Sequence, residues 1–228
     1  MKNNIPDIII DFKDGKWGFI NRKGDVIIPY IYDSGLYGVI SLEEFYRFRD
    51  GLATVCLNDK WGCINERGYN ITPYIYDSPL DFKNGLARVS INYKYGYIDK
   101  AGNEVVAFLY DYAHDFEYGG FAKVSKNNKE GIIDMKGRAV TPIKYDLIGK
   151  DDYGHYSCMF HYGLAPVNVD GKWGYVDVYG NEVIPCIYDD VTNFQNPSLN
   201  VQQAKVTLNG KRISINKHGG KIPSLFAA

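Results

Sequence analysis

The side chains best equipped for chemistry are His155, Cys158 and His161, three metal-capable groups each separated by two residues in one stretch. Zinc takes about four ligands in a tetrahedral arrangement. The remaining histidines and cysteines, His114, His218, Cys56, Cys63 and Cys186, all lie elsewhere in the chain, so the cluster falls short of a metal centre. Nor does Cys158 sit in the signature of a thiol nucleophile. The chain has no phosphate-cradling glycine loop, no metalloprotease helix motif and no nucleophile elbow. Tyr-Asp pairs recur, as at Tyr32 and Asp33 or Tyr188 and Asp189. An aspartate that returns in every connector bonds nearby backbone amides more readily than it performs acid catalysis. The residues therefore predict no catalytic group, no cofactor and no metal ligand, and a protein that is not an enzyme.

Composition narrows the classes further. The 228 residues carry 26 Lys plus Arg against 27 Asp plus Glu, a net charge of −1, and no long block of either sign. That balance lacks the electrostatic footprint of a nucleic-acid or membrane-surface binder. Near the start, Ile8, Ile9 and Ile10 lie between Asp7 and Asp11, too short a run for an export signal or a membrane span, which predicts a cytoplasmic protein. The cysteines show neither a disulfide framework nor CxxC spacing and read as reduced thiols used as small apolar groups. Twenty tyrosines and eleven phenylalanines suit half-buried strands.

What would position these residues is a repeat. A lysine recurs at Lys16, Lys60, Lys94, Lys129, Lys172 and Lys211, each preceded by a turn dipeptide: Asp14-Gly15, Asn58-Asp59, Asn92-Tyr93, Asn127-Asn128, Asp170-Gly171 and Asn209-Gly210. Such pairs favour two-residue hairpins. Five residues after each lysine comes an Asn or Asp followed three later by Gly, from Asn21 and Gly24 to Asn216 and Gly219, the pattern of a type I turn closed by a left-handed glycine. The spacing predicts an all-β array of six three-stranded antiparallel meanders at about 7–33, 51–77, 85–111, 120–146, 163–189 and 203–224 in one repeat domain. An open solenoid or superhelix is favoured over a closed six-bladed, propeller-like ring, because six complete repeats leave no strand to exchange between the ends.

Each meander is followed by a connector with Pro, two residues, then Tyr and Asp, as in Pro29, Tyr32 and Asp33 or Pro185, Tyr188 and Asp189; Ala107 replaces the proline before Tyr110 and Asp111. Proline cannot donate to a ladder, so the meander should end there. Two connectors are long, 34–50 and 147–162, and carry Tyr37, Phe45, Tyr46, Phe48, Tyr153, Tyr156, Phe160 and Tyr162. Insertions in repeat proteins often form the binding face, which makes these rings a candidate interaction surface; covering edge strands is the alternative.

The second strand opens with Lys, Trp and Gly at Lys16-Trp17-Gly18, Lys60-Trp61-Gly62 and Lys172-Trp173-Gly174, with Tyr95-Gly96 as a variant. Together with the turn and the connector, this resembles the WG-repeat (KWG-repeat) family. The resemblance implies a bacterial β-repeat protein that binds other proteins, and it transfers no catalytic residue. Each tryptophan is expected to fill the space between successive repeats, and each glycine to mark close approach by another backbone or ring. Arg212 and Ile213 break the motif in the last repeat, where one side should face solvent. Glu130 breaks it in the fourth, which should open towards its long insert and leave the carboxylate solvated or paired. Another protein is the expected partner. Glycan binding by rings of adjacent repeats is the second reading and requires those rings to be exposed.

Overall fold

A two-residue hairpin needs left-handed backbone at both positions, which Asn, Asp and Gly reach at least cost. In the computed structural model, which describes residues 8–34, 46–117, 119–149, 160–195 and 202–223, all six dipeptides adopt it. Asp14 and Gly15 have φ of 50° and 82°, and even Asn92 and Tyr93, without a glycine, have 51° and 61°. Each turn joins a first strand to a second in continuous antiparallel register, for example Leu52–Leu57 to Lys60–Asn65 and Leu164–Val169 to Lys172–Asp177.

The second corner is equally regular. Asn21 accepts from the amides of Lys23 and Asp25 at 2.8 and 2.9 Å, and Asp177 accepts from Tyr179 and Asn181 at 2.9 Å each. Asn65, Asp99, Asp134 and Asn216 repeat the geometry. One side-chain oxygen thus satisfies two amides that no strand can reach. No helix occurs among the described residues, and the sheets are antiparallel and not closed into barrels.

The third strand returns with a bulge. Trp17 faces Tyr32 and Phe19 faces Ile28, so Gly18 alone lies opposite Pro29, Tyr30 and Ile31. Trp173 and Tyr175 pair with Tyr188 and Ile184 in the same way, setting Pro185, Cys186 and Ile187 over Gly174. The bulge holds the proline, which has no amide to give the ladder. It also explains the glycine. A Cβ on Gly18 would lie 3.0 Å from the Ile28 carbonyl oxygen, and one on Gly174 would lie 2.7 Å from the Pro185 carbonyl carbon. In the last repeat the described third strand, Lys221–Ile222, pairs with Ser214 and Ile215, and no described residue pairs opposite Ile213.

The meanders acquire a further outer strand from the connector. The amides of Asp33, Asp77, Asp111, Asp146 and Asp189 donate to the carbonyls of Cys56, Ser90, Ser125, Asn168 and Thr207 on the first strand of the following repeat. In repeats 4, 5 and 6 a second bond follows three residues on: His114 to Lys123, Gly149 to Pro166 and Thr192 to Lys205.

The chain forms two compact bodies, Met1–Leu109 with repeats 1 to 3 and Tyr110–Ala228 with repeats 4 to 6. The core of the first includes Phe19, Ile28, Tyr32, Trp61 and Val89. That of the second includes Tyr145, Ile148, Val167, Tyr175 and Phe194. Within the first, Tyr32 packs on Tyr74 and Tyr76 on Phe108, with ring centroids 6.4 and 6.3 Å apart. Corner glycines press on the preceding third strand: a Cβ on Gly68 would meet Ile28 at 3.3 Å, and one on Gly180 would lie 2.9 Å from the Val140 carbonyl carbon.

Gly174→Ala should therefore destabilise the protein by ~1–3 kcal/mol through overpacking under the bulge. Ile213→Ala changes a position over which no described residue forms such a bulge, so it should cost only the loss of side-chain contacts and cause no shift of Lys221–Ile222. Urea unfolding and amide spectra of the two variants check this contrast.

Candidate interaction surface

The recurring polar residues are already engaged. The Lys16 ammonium bonds Asp33 Oδ1, and the equivalent bonds are Lys60 to Asp77 at 2.6 Å, Lys129 to Asp146 at 2.5 Å and Lys172 to Asp189 at 2.5 Å. The other carboxylate oxygen accepts from the hairpin turn of the next repeat: from the amides of Asn58 (2.7 Å), Tyr93 (3.1 Å), Asp170 (2.8 Å) and Gly210 (3.3 Å). Asp111 accepts likewise from Asn127 at 2.7 Å. The connector aspartate is thus a clasp, holding the lysine of one repeat and the turn of the next. The lysine holds the carboxyls of Asp33, Asp146 and Asp189 below the usual carboxylate range.

The motif rings are structural too. Trp61 and Trp173 are buried, while Trp17 and Tyr95 are half-buried. Tyr46, from the first long connector, lies between two tryptophans, 5.6 Å from Trp17 and 6.3 Å from Trp61. Its exposure is 0%. Its hydroxyl donates to the Asp33 carbonyl and accepts from the Cys56 amide. Tyr46 is therefore a core residue and not part of an exposed binding face, a correction to the sequence reading. Phe48 is half-buried against Phe19 at 5.1 Å, and Phe160 against Phe121 at 5.1 Å. Tyr162 is exposed at the left-handed first position of a tight turn before Gly163. Tyr37, Phe45, Tyr153 and Tyr156, and with them His155 and Cys158, lie outside the described residues. His161 pairs through its backbone with Leu164. Cys56 and Cys63 are buried, and burial pushes their thiols up to about 11.

Glu130 is paired. Its carboxylate accepts from the Ile148 amide at 2.6 Å and lies 3.3 Å from the Lys123 ammonium, which in turn donates to the Ile148 carbonyl at 3.1 Å. Lys123 is buried, on the strand paired with Glu130's own. In repeat 2 the corresponding residue is Thr54, whose hydroxyl donates to the Leu80 carbonyl at 2.7 Å. An ion pair gripping both polar groups of one connector residue replaces the tryptophan. Arg88 and Lys205 hold the same place in repeats 3 and 6 without being buried, so what marks repeat 4 in the sequence is the basic residue combined with a glutamate at the tryptophan position.

What remains unspent is apolar. The third strands turn two side chains outward, six and ten residues after the corner Asn or Asp: Ile27 with Ile31, and Val183 with Ile187, all exposed. Ile31, Ile75, Leu109 and Ile187, one per repeat, are exposed by 43%, 42%, 53% and 46%, and Lys144 takes this place in repeat 4. A groove of about 240 Å³ runs between Ile27, Pro29 and Ile31 on one side and Arg67 and Tyr74 on the other. A wider one in the second body, about 670 Å³, is lined by Phe121, Met135, Arg138, Val178 and the exposed Tyr179.

Repeated antiparallel sheets joined by clasped connectors define an all-β repeat protein. The chain belongs to the WG containing repeat family, whose pattern matches residues 17–61, 61–95, 95–129, 159–173 and 173–203. No curated protein sequence matches it. Among solved structures, the chain is similar to a eukaryotic initiation factor at 9% identity and a TM-score of 0.42, over 73% of this chain and 49% of that one. It therefore spans about half the length of that factor. It is also similar to Kluyveromyces lactis Hsv2 at 9% identity and a TM-score of 0.38, over 93% and 75% of the two chains. A protein of unknown function from Bacteroides caccae matches at 15% identity and a TM-score of 0.27, over 72% and 68%.

Lys123→Thr should cost ~3–5 kcal/mol by stranding Glu130, and the double change Lys123→Thr with Glu130→Trp should recover most of it. A double-mutant cycle by urea unfolding measures the coupling. The clasps add a pH dependence. Their carboxyls titrate lower folded than unfolded, so their stabilisation is complete above the unfolded pKa and fades as pH falls through about 4 towards the folded values. Asp146→Ala should lower Tm at pH 7 and reduce the further loss between pH 5 and 3.

Proposed function

We propose that the chain is a non-catalytic repeat module that binds another protein through the outward aliphatic residues of its third strands. One observation carries this reading: Ile31, Ile75 and Leu109 stand exposed at the same place in the three repeats of the first body, as Ile187 does in repeat 5, while the recurring Lys and Asp are engaged in clasps between repeats. Repeat arrays bind with extended faces built from equivalent positions, and exposed apolar residues in register are what a protein partner would cover. The burial of Trp61 and Trp173 supports this reading over glycan binding, which needs the motif rings at the surface.

Ile31→Asp combined with Ile75→Asp tests the surface, since both side chains are exposed and the fold should survive. The wild-type chain and the double variant, matched for Tm and circular dichroism, serve as baits in extract of the native cell with cross-linking and mass spectrometry. A specific protein should be held by the wild type and lost by the variant. Recovery of no specific protein, or of the same one by both baits, refutes the proposal.

A further inference from the structure

Repeats 2 to 6 each receive the connector aspartate before them at the outer edge of their first strand, and in repeats 4 to 6 the connector continues along that edge as an outer strand. The connector aspartate donates its amide to the first strand, and its carboxylate accepts from the hairpin turn. Repeat 1 has the same first strand, Ile9–Lys13, and the same turn, Asp14 and Gly15. By register, Phe12 occupies the place of Cys56, Ser90, Ser125, Asn168 and Thr207, because it faces Trp17 as Cys56 faces Trp61. Its amide and carbonyl point to the outer edge, as those of Cys56 do, and Asp14 presents the turn amide. Among the described residues, no chain pairs with that edge.

The side chains fit an uncovered edge. Phe12 is 48% exposed although its ring lies 4.8 Å from Trp17, and the Trp17 indole nitrogen is buried with no hydrogen-bond partner among the described residues. The flanking face, however, is not built to receive another stacked repeat. Asp11 stands where Val55, Val89, Val124, Val167 and Val206 are buried, and it accepts a bond from the Tyr30 hydroxyl at 2.5 Å. What is open is the edge alone, which suits a single extended segment.

We propose that the edge of Ile9–Lys13 is a strand-addition site for an extended Tyr-Asp segment of a separate polypeptide. The internal junctions, those of repeats 4 to 6 most fully, specify the fit. The segment runs antiparallel to the strand, its aspartate amide donates to the Phe12 carbonyl and its carboxylate accepts from the Asp14 amide. The amide three residues further on donates to the Ile10 carbonyl, as Gly149 does to Pro166. This site is separate from the third-strand surface, and either proposal can fail alone.

The probe is a synthetic peptide of the sequence of 142–149, PIKYDLIG, which makes these bonds to repeat 5 within the protein. It is titrated into the full chain while amide shifts and hydrogen exchange are followed. Saturable shifts and slowed exchange at Phe12 and Asp14 are expected, with affinity about tenfold weaker for the peptide carrying Asp146→Ala, which removes one charge-assisted bond. The proposal is overturned if the Phe12 and Asp14 amides are already protected in the free chain, since the edge is then not open. It is equally overturned if shifts do not saturate or map elsewhere, or if the alanine peptide binds as well as the parent.

Discussion

Within each body, the joining of successive meanders passes through one carboxylate per junction. A meander has satisfied ladders inside and two unsatisfied places outside: the free edge of its first strand and the outward amide of its hairpin turn. The connector aspartate answers both at once, with its own amide on the edge and an oxygen on the turn, and its second oxygen is neutralised by a lysine behind it. The distance along the chain between lysine and aspartate is 17 residues in each of the pairs Lys16–Asp33, Lys60–Asp77, Lys129–Asp146 and Lys172–Asp189. That constancy follows from the Asx corner and the bulge lying between them, neither of which tolerates a change in length. The glycine of the motif belongs to the same device, because without it the bulge could not close and the connector would leave the sheet at another angle.

How much of this was legible in the sequence depended on the range of the interaction. The hairpin dipeptides and the Asn or Asp corners are local, and side-chain chemistry alone dictates left-handed φ and bonds to amides two and four residues on; all six copies of each follow it. The close approach over Gly18 and Gly174 was also readable, since a glycine inside a strand has few other causes. The clasp was not. Its partners are the Lys16 behind Asp33 and the Asn58 ahead of it, and no periodicity in composition says that one aspartate holds both. The outer strand was hidden for the same reason, being made by a connector whose proline suggested only a strand end.

The first long connector is more instructive. An insertion rich in aromatic residues reads equally as a binding loop or as cover for the strands, and Tyr46 is enclosed between Trp17 and Trp61. A tyrosine can occupy such a place only because its hydroxyl finds both a carbonyl acceptor and an amide donor, those of Asp33 and Cys56. The first connector therefore supplies the ring that the repeats themselves leave out between the tryptophans.

Repeat 4 shows what the tryptophan position is for. If the ring read a ligand, replacing it by Glu130 would abolish that role and require no change elsewhere. Instead, Lys123 lies buried beside it, and the two together take hold of the amide and the carbonyl of Ile148. The substitution preserves support for the connector by exchanging dispersion for charge-assisted bonds. A position whose replacement is matched inside the protein is answering to the protein's own packing, and the residues left to meet a partner are those whose identity nothing inside requires. On the third strands these are the outward aliphatic side chains, where Lys144 replaces isoleucine with only a 3.7 Å contact to Glu182 and the Tyr145 ring, 5.0 Å from its ammonium, to occupy it. The internal logic of the repeat thus separates the side chains that build the array from those whose identity the array does not require.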